Sequence, residues 1–170
     1  MRTELKALLA LLLAGGATAG AAVVLPWSAP ATPSGAPLSS ADLIERGRYL
    51  VKIAGCNDCH TAGYAPSAGN VPEDQWLTGD ELGFRGPWGT TYPINLRLHL
   101  QAISEAQWLE YARTVQSRPP MPWFALRNMT EEDRRALYHY IRLLGPAGVA
   151  MPGFVPPGET PQGPYIQFPE

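Results

Sequence analysis

The chain has 170 residues, of which 45% are hydrophobic and 16% charged, with a formal net charge of -2 at pH 7. That length allows one domain with extensions. The near-even balance of 13 basic against 15 acidic residues leaves no basic footprint for nucleic acid.

Arg2 and Lys6 precede an apolar run from Ala7 to Leu25, closed by Pro26 and Trp27. A basic start followed by a leucine-rich stretch has the form of an export signal. Ala17-Thr18-Ala19 supplies a small-x-small cleavage site, and Gly15, Gly16 and Gly20 weaken a stable spanning helix. The run is nonetheless about long enough to cross a bilayer, and Trp27 suits the interface. Residues 1–27 are therefore read as an export signal or an N-terminal membrane anchor, with cleavage favoured. Residues 28–39 are rich in Pro, Ala, Ser and Gly and read as a linker.

A first helix is expected next, capped by Ser39 or Ser40, with Leu43, Tyr49, Leu50 and Ile53 at helical spacings. It should end at Ala54-Gly55, where glycine permits the turn into Cys56-Asn57-Asp58-Cys59-His60. This C-x-x-C-H run reads as a c-type haem attachment site. Two thiols three positions apart can each add to one vinyl group of a haem edge, and the adjacent imidazole then falls where it can ligate the iron. A redox dithiol would sit in a βαβ pattern, which is missing here. A structural zinc site needs a second ligand pair, and the chain has no other cysteine. A disulfide between Cys56 and Cys59 would close a loop too small to stabilise much. There is one such motif, hence one haem.

From Thr61 to Leu100 breaker signals follow in close succession, among them Thr78-Gly79-Asp80, Arg85-Gly86-Pro87 and Tyr92-Pro93. A loop of this length is uncommon unless it wraps something, and a porphyrin gives it a surface. Trp76, Leu77, Leu82, Phe84 and Trp88 are the apolar residues expected to cover that surface.

Ser104-Glu105-Ala106-Gln107 fits a capping box for a helix running to about Val115, with Trp108, Leu109, Ala112 and Val115 as its stripe. Arg118-Pro119-Pro120 stops it. Thr130 caps a last helix with Glu131, Glu132 and Asp133 in its first turn and Leu137, Tyr140, Ile141 and Leu144 on its apolar face. Gly145-Pro146 ends that helix. Proline density after Gly145 rules out further helices. The aromatics there, Phe154, Tyr165 and Phe168, leave two readings: a disordered tail, or an extended one pinned across the domain.

Candidates for a second axial ligand are Met121, Met129, Met151, His99 and His139. Met121 lies between two helices with prolines on both sides, which fix the backbone and can hold a thioether in one place. Met129 precedes a cap and reads as packing, Met151 requires the tail to fold back, and His139 reads as solvent-facing. His99 is the rival to Met121. His/Met ligation raises the potential relative to bis-His, and burial strengthens the trend because the oxidised state carries the extra charge.

Gly47-Arg48-Tyr49-Leu50 leading into Cys56-x-x-Cys59-His60, the Met121-Pro122 loop and the Tyr140-Ile141 pair together resemble a class I c-type cytochrome over roughly residues 41–144. The resemblance implies an all-α fold, small and helical around one covalently bound haem c, with long loops and an extended Pro/Gly-rich tail. It divides the chain into a cytochrome c domain at 40–145 and an extension at 146–170. It also implies that first and last helices cross where Gly47 makes room for Tyr140. Gly89-Thr90-Thr91-Tyr92-Pro93-Ile94-Asn95-Leu96 and Met121-Pro122-Trp123 are similar to segments of cytochrome subunits of periplasmic alcohol and aldehyde dehydrogenases, where the Pro93-Ile94-Asn95 equivalent is a haem-edge loop. The chain departs from these relatives in having one haem where many have three. It also lacks a proline shortly after His60 to support the axial imidazole, a part that falls to Pro66 or Pro93. Arg97, Trp88, Trp76 and Tyr92 are candidate hydrogen-bond partners of the propionates.

The expected function is a monohaem electron carrier, not an enzyme, with Cys56, Cys59, His60 and Met121 as haem-binding residues. It would be periplasmic, either soluble or anchored to the inner membrane. Its expected partners are a dehydrogenase, a quinol-oxidising complex or a terminal oxidase. The alternative is a catalytic or sensing haem with an open or displaceable sixth site.

Overall fold

Ser39 opens the first helix with a reciprocal cap. Its hydroxyl accepts the Asp42 amide at 3.2 Å, while the Asp42 carboxylate accepts the Ser39 amide at 3.3 Å. The computed structural model describes residues 37–169, so the expected signal or anchor at 1–27 and most of the 28–39 linker lie outside the described residues. Among the described residues, no helix is long and apolar enough to cross a membrane.

In chain order the elements are α1 (Ser40–Ile53), α2 (Cys56–His60), a 3-10 turn (Glu73–Gln75), β1 (Gly83–Gly86), β2 (Gly89–Thr91) and α3 (Leu96–Gln101). There follow α4 (Glu105–Thr114), α5 (Trp123–Asn128), α6 (Glu131–Leu144) and β3 (Tyr165–Gln167). The domain is thus mostly helical, as expected, with a small three-stranded sheet that the sequence pattern does not announce.

α1 buries Leu43, Gly47, Leu50 and Val51, a stripe at helical spacing that lies on α6. Two residues assigned to this stripe, Tyr49 and Ile53, instead face solvent. The reason is the close crossing at Gly47, which narrows the buried face to residues in line with it. α6 begins where the Thr130 hydroxyl accepts the Asp133 amide at 3.1 Å, and Asp133 also pairs with Arg46 of α1 at 2.6 Å. Ala136, Leu137, Tyr140 and Ile141 are its buried apolar face.

α4 starts with the expected capping box of Ser104 and Gln107. It is tied to α6 by Trp108, whose indole N–H donates to the Arg134 carbonyl at 2.7 Å. Arg97 on α3 closes the far end of α6, giving hydrogen bonds to the carbonyls of Gly145 at 2.6 Å, of Asp74 at 2.6 Å and of Leu144.

β1 is central in the sheet, antiparallel to β2 and parallel to β3. Gly83 pairs with Tyr165 and Arg85 with Gln167. The tail is therefore ordered and extended, with its aromatics as anchors: Phe168 lies against Trp88 at 5.4 Å and Phe84 at 6.3 Å between ring centroids.

Candidate functional site

Gly55 adopts a left-handed conformation and delivers the chain into α2, and α2 is then bolted in place from its far end. The His60 carbonyl accepts the Gly79 amide at 2.8 Å. Buried Thr61 donates its hydroxyl hydrogen to Asn57 Oδ1 at 2.8 Å, and its oxygen accepts the Leu77 amide at 2.8 Å. Leu77 itself sits at φ +62°, a costly conformation for a branched side chain, held because its amide and its carbonyl are both engaged.

Cys56, Cys59 and His60 line a cavity of about 990 Å³, at the upper end of the range for small-molecule and cofactor pockets, roughly 300–1,000 Å³. His60 is 8% exposed. Its Nδ1–H donates to the Ile94 carbonyl at 2.8 Å, which fixes the tautomer and leaves Nε2 with a free lone pair. Burial pushes the imidazole pKa down, against the smaller opposing effect of that hydrogen bond. The neutral ring is the metal-binding form. Burial also pushes the Cys56 thiol up to about 11 and raises Cys59.

Ile94 therefore takes the part assigned to Pro66 or Pro93. Pro93 is buried and lines the cavity beside it, whereas Pro66 is exposed. The signal was present in Pro93-Ile94-Asn95: Asn95 caps α3 through Leu98 N–H and so holds the preceding carbonyl in position.

The candidate second ligands converge on the same cavity. Met121, Met129, Met151 and His99 all line it; His139 does not, and pairs with Glu105 at 3.1 Å. Met151 is brought in because the tail folds back, and it packs against Gly79, whose amide is bonded to the His60 carbonyl. Met129 packs on the core cluster. His99 lies edge-on to Tyr111 at 5.6 Å, and its Nε2 is buried without a partner among the described residues.

Of the five residues expected to cover a porphyrin, Phe84 alone lines the cavity. Trp76 and Leu77 belong to the protein core, Trp76 packed edge-on against Tyr64 at 5.8 Å. Trp88 is spent on Phe168. The propionate partners expected from sequence are mostly committed elsewhere. Arg97 caps α6, Trp76 donates to Val71 at 2.8 Å and Trp88 to Phe84 at 3.3 Å. Tyr92 lines the cavity, yet its hydroxyl donates to Gln162 at 3.3 Å. Among the described lining residues, His99 Nε2 is a buried polar atom without a partner, which a buried carboxylate would satisfy, and Arg118 is a cation on the same lining. Two thiols, an available imidazole nitrogen, thioethers on the same lining and a largely apolar wall together fit haem c.

The cytochrome c family matches residues 44–145. Over 141 residues, 75% of this chain, the sequence is 30% identical to a nicotinate dehydrogenase subunit from Pseudomonas putida, of which it covers 11%. It is 26% identical over 144 residues to the cytochrome c subunit of alcohol dehydrogenase (quinone) from Gluconacetobacter polyoxogenes, covering 78% of this chain and 26% of that one. It is 33% identical over 110 residues to the fructose dehydrogenase cytochrome subunit of Gluconobacter japonicus, covering 58% of this chain and 20% of that one. The chain thus spans about a quarter or less of the curated relatives it matches. No solved structure matches.

Proposed function

The chain belongs to the cytochrome c family and carries a covalently bound haem c in an electron-transfer role, and on that premise we propose that it is a monohaem, His/Met-ligated carrier of single electrons. Haem c supplies a one-electron ferric/ferrous couple. Cys56 and Cys59 would anchor it by thioether bonds, and His60 Nε2 would ligate its iron. The observation that carries this reading is the convergence of Cys56, Cys59, His60 and Met121 on one cavity, with the His60 ring oriented by the Ile94 carbonyl.

Met121, on the proline-flanked loop between α4 and α5, lines the cavity and would be the second iron ligand. Met151 is packed on the His60 side against Gly79, and Met129 is held by the core. A neutral sulfur and an apolar wall both favour the ferrous form and raise the potential. Rigid ligands in both states keep the reorganisation on electron transfer small.

The relatives are dehydrogenase subunits by name, which supports a dehydrogenase as electron donor. A quinol-oxidising complex can take the same place, with a terminal oxidase or reductase as acceptor. The basic start and apolar run of residues 1–27 support a periplasmic location, soluble or anchored.

The test is the spectrum of the ferric holoprotein and of Met121→Ala. The wild type should show the weak far-red band of a methionine–iron(III) bond. The variant should lose it and become high-spin, with pigment still covalently attached. An unchanged spectrum in Met121→Ala would remove Met121 from the iron.

A further inference from the structure

The chain continues past α6, and the structure shows what this extension holds. Its first residues are fixed on the His60 side: Asn95 Nδ2 donates to the carbonyls of Ala147 at 2.8 Å and Val149 at 3.1 Å, one residue from the carbonyl that orients His60. The extension then runs along the cavity, where Met151 and Phe154 join the lining. Val155 forms an isolated antiparallel bridge with Thr90, through Thr90 N–H to Val155 O at 2.8 Å and Val155 N–H to Thr90 O at 3.0 Å. Gly89 makes that approach possible, since a Cβ there would fall 2.9 Å from the Phe154 ring. Beyond it, β3 secures the segment to β1.

Phe154, fixed by this bridge, lies under the guanidinium of Arg118, with Arg118 Cζ 3.7 Å from the ring centroid. Arg118 begins the proline-rich loop that carries Met121. The next residue is also held from the sheet, because Thr91 donates its hydroxyl hydrogen to the Pro119 carbonyl at 2.8 Å. The Met121 loop is thus gripped at two consecutive residues by a frame made of β2 and the extension.

We propose that residues 146–168 are a strap that positions the Met121 loop, with Phe154 and Thr91 as positioning residues that keep the thioether on the iron and exclude competing ligands. The proposal rests on Met121 as sixth ligand. Ligands such as cyanide enter only when the loop opens: the iron–sulfur bond breaks, an iron–carbon bond forms, and the oxidation state does not change. The apparent affinity for cyanide therefore reports the fraction of open loop.

The experiment is cyanide titration of the full-length ferric holoprotein and of Phe154→Leu, Phe154→Tyr and Thr91→Val, at matched far-UV helical signal. Phe154→Leu keeps apolar cover but removes the aromatic face and should raise apparent cyanide affinity about tenfold. Phe154→Tyr should restore the wild-type value, and Thr91→Val should shift in the same direction as Phe154→Leu. Wild-type affinity in Phe154→Leu and Thr91→Val, with the methionine–iron band present in all proteins, overturns the strap and leaves Met121 as ligand. A wild-type protein without that band overturns the ligand assignment itself.

Discussion

Gly47 and Tyr140 meet at the crossing of α1 and α6, where a Cβ on residue 47 would stand 2.6 Å from Tyr140 Cβ and closer still to the Ala136 carbonyl oxygen. Backbone lies directly opposite, so no side-chain rotation can relieve the clash. Gly47→Ala should lower holoprotein stability by about 1–3 kcal/mol, at least the usual cost of overpacking a core. Denaturant midpoints at equal m-value measure it.

The same tyrosine reaches an ion pair. Its hydroxyl donates to Glu73 at 2.8 Å, and Arg48 holds both Glu73 oxygens from the other side. Arg48 first, then Tyr140, keeps the Glu73 carboxyl below the usual carboxylate range despite partial burial. A depressed folded pKa gives stabilisation that is complete above the unfolded value of about 4.3 and is lost as pH falls through the folded value. Glu73→Gln should therefore be less stable than wild type at pH 7, and the gap should close below about pH 4. Chemical denaturation across this range checks the sign.

Thr61 tests the fixing of the attachment helix. Thr61→Val leaves the buried Leu77 amide without its acceptor and Asn57 Oδ1 without its donor, at a cost of about 1–3 kcal/mol for each unpaired group. Thr61→Ser keeps both and should stay near wild type. Thermal unfolding of the two holoproteins separates these outcomes.

Removing the cofactor should remove the fold. Without haem, an open cavity of about 990 Å³ with a largely apolar wall is left to water. The loss of that apolar burial is set against the usual stability of a whole domain, about 5–15 kcal/mol. Cys56→Ser/Cys59→Ser protein should show little helical far-UV signal and no cooperative melt. A native-like melt would show that the polypeptide closes on itself.

Helix starts were readable because capping is local: Ser39, Ser104 and Thr130 each cap as their sequences direct. The attachment motif was readable from its residue types and spacing, whereas the Gly47–Tyr140 contact followed only from the resemblance to class I cytochromes, since a helical glycine can equally weaken an exposed helix. The sheet was not. Strands of three or four residues are too short to show alternation, and β1 takes one partner from residues 165–167. α3 and α5, of six residues each, are likewise too short to show a helical period. Arg97 misled for a different reason. A buried arginine near a cofactor suggests a carboxylate partner, but here it meets three helix-end and loop carbonyls. The orienting carbonyl of Ile94 has no residue-type signature, because any residue would supply it.

The parallel pairing of Gly83 with Tyr165 joins segments far apart in the chain. The β1–β2 hairpin closes within a few residues, whereas β3 must return across most of the domain. Closing the segment that carries Phe154 therefore costs more loop entropy than closing the hairpin it joins.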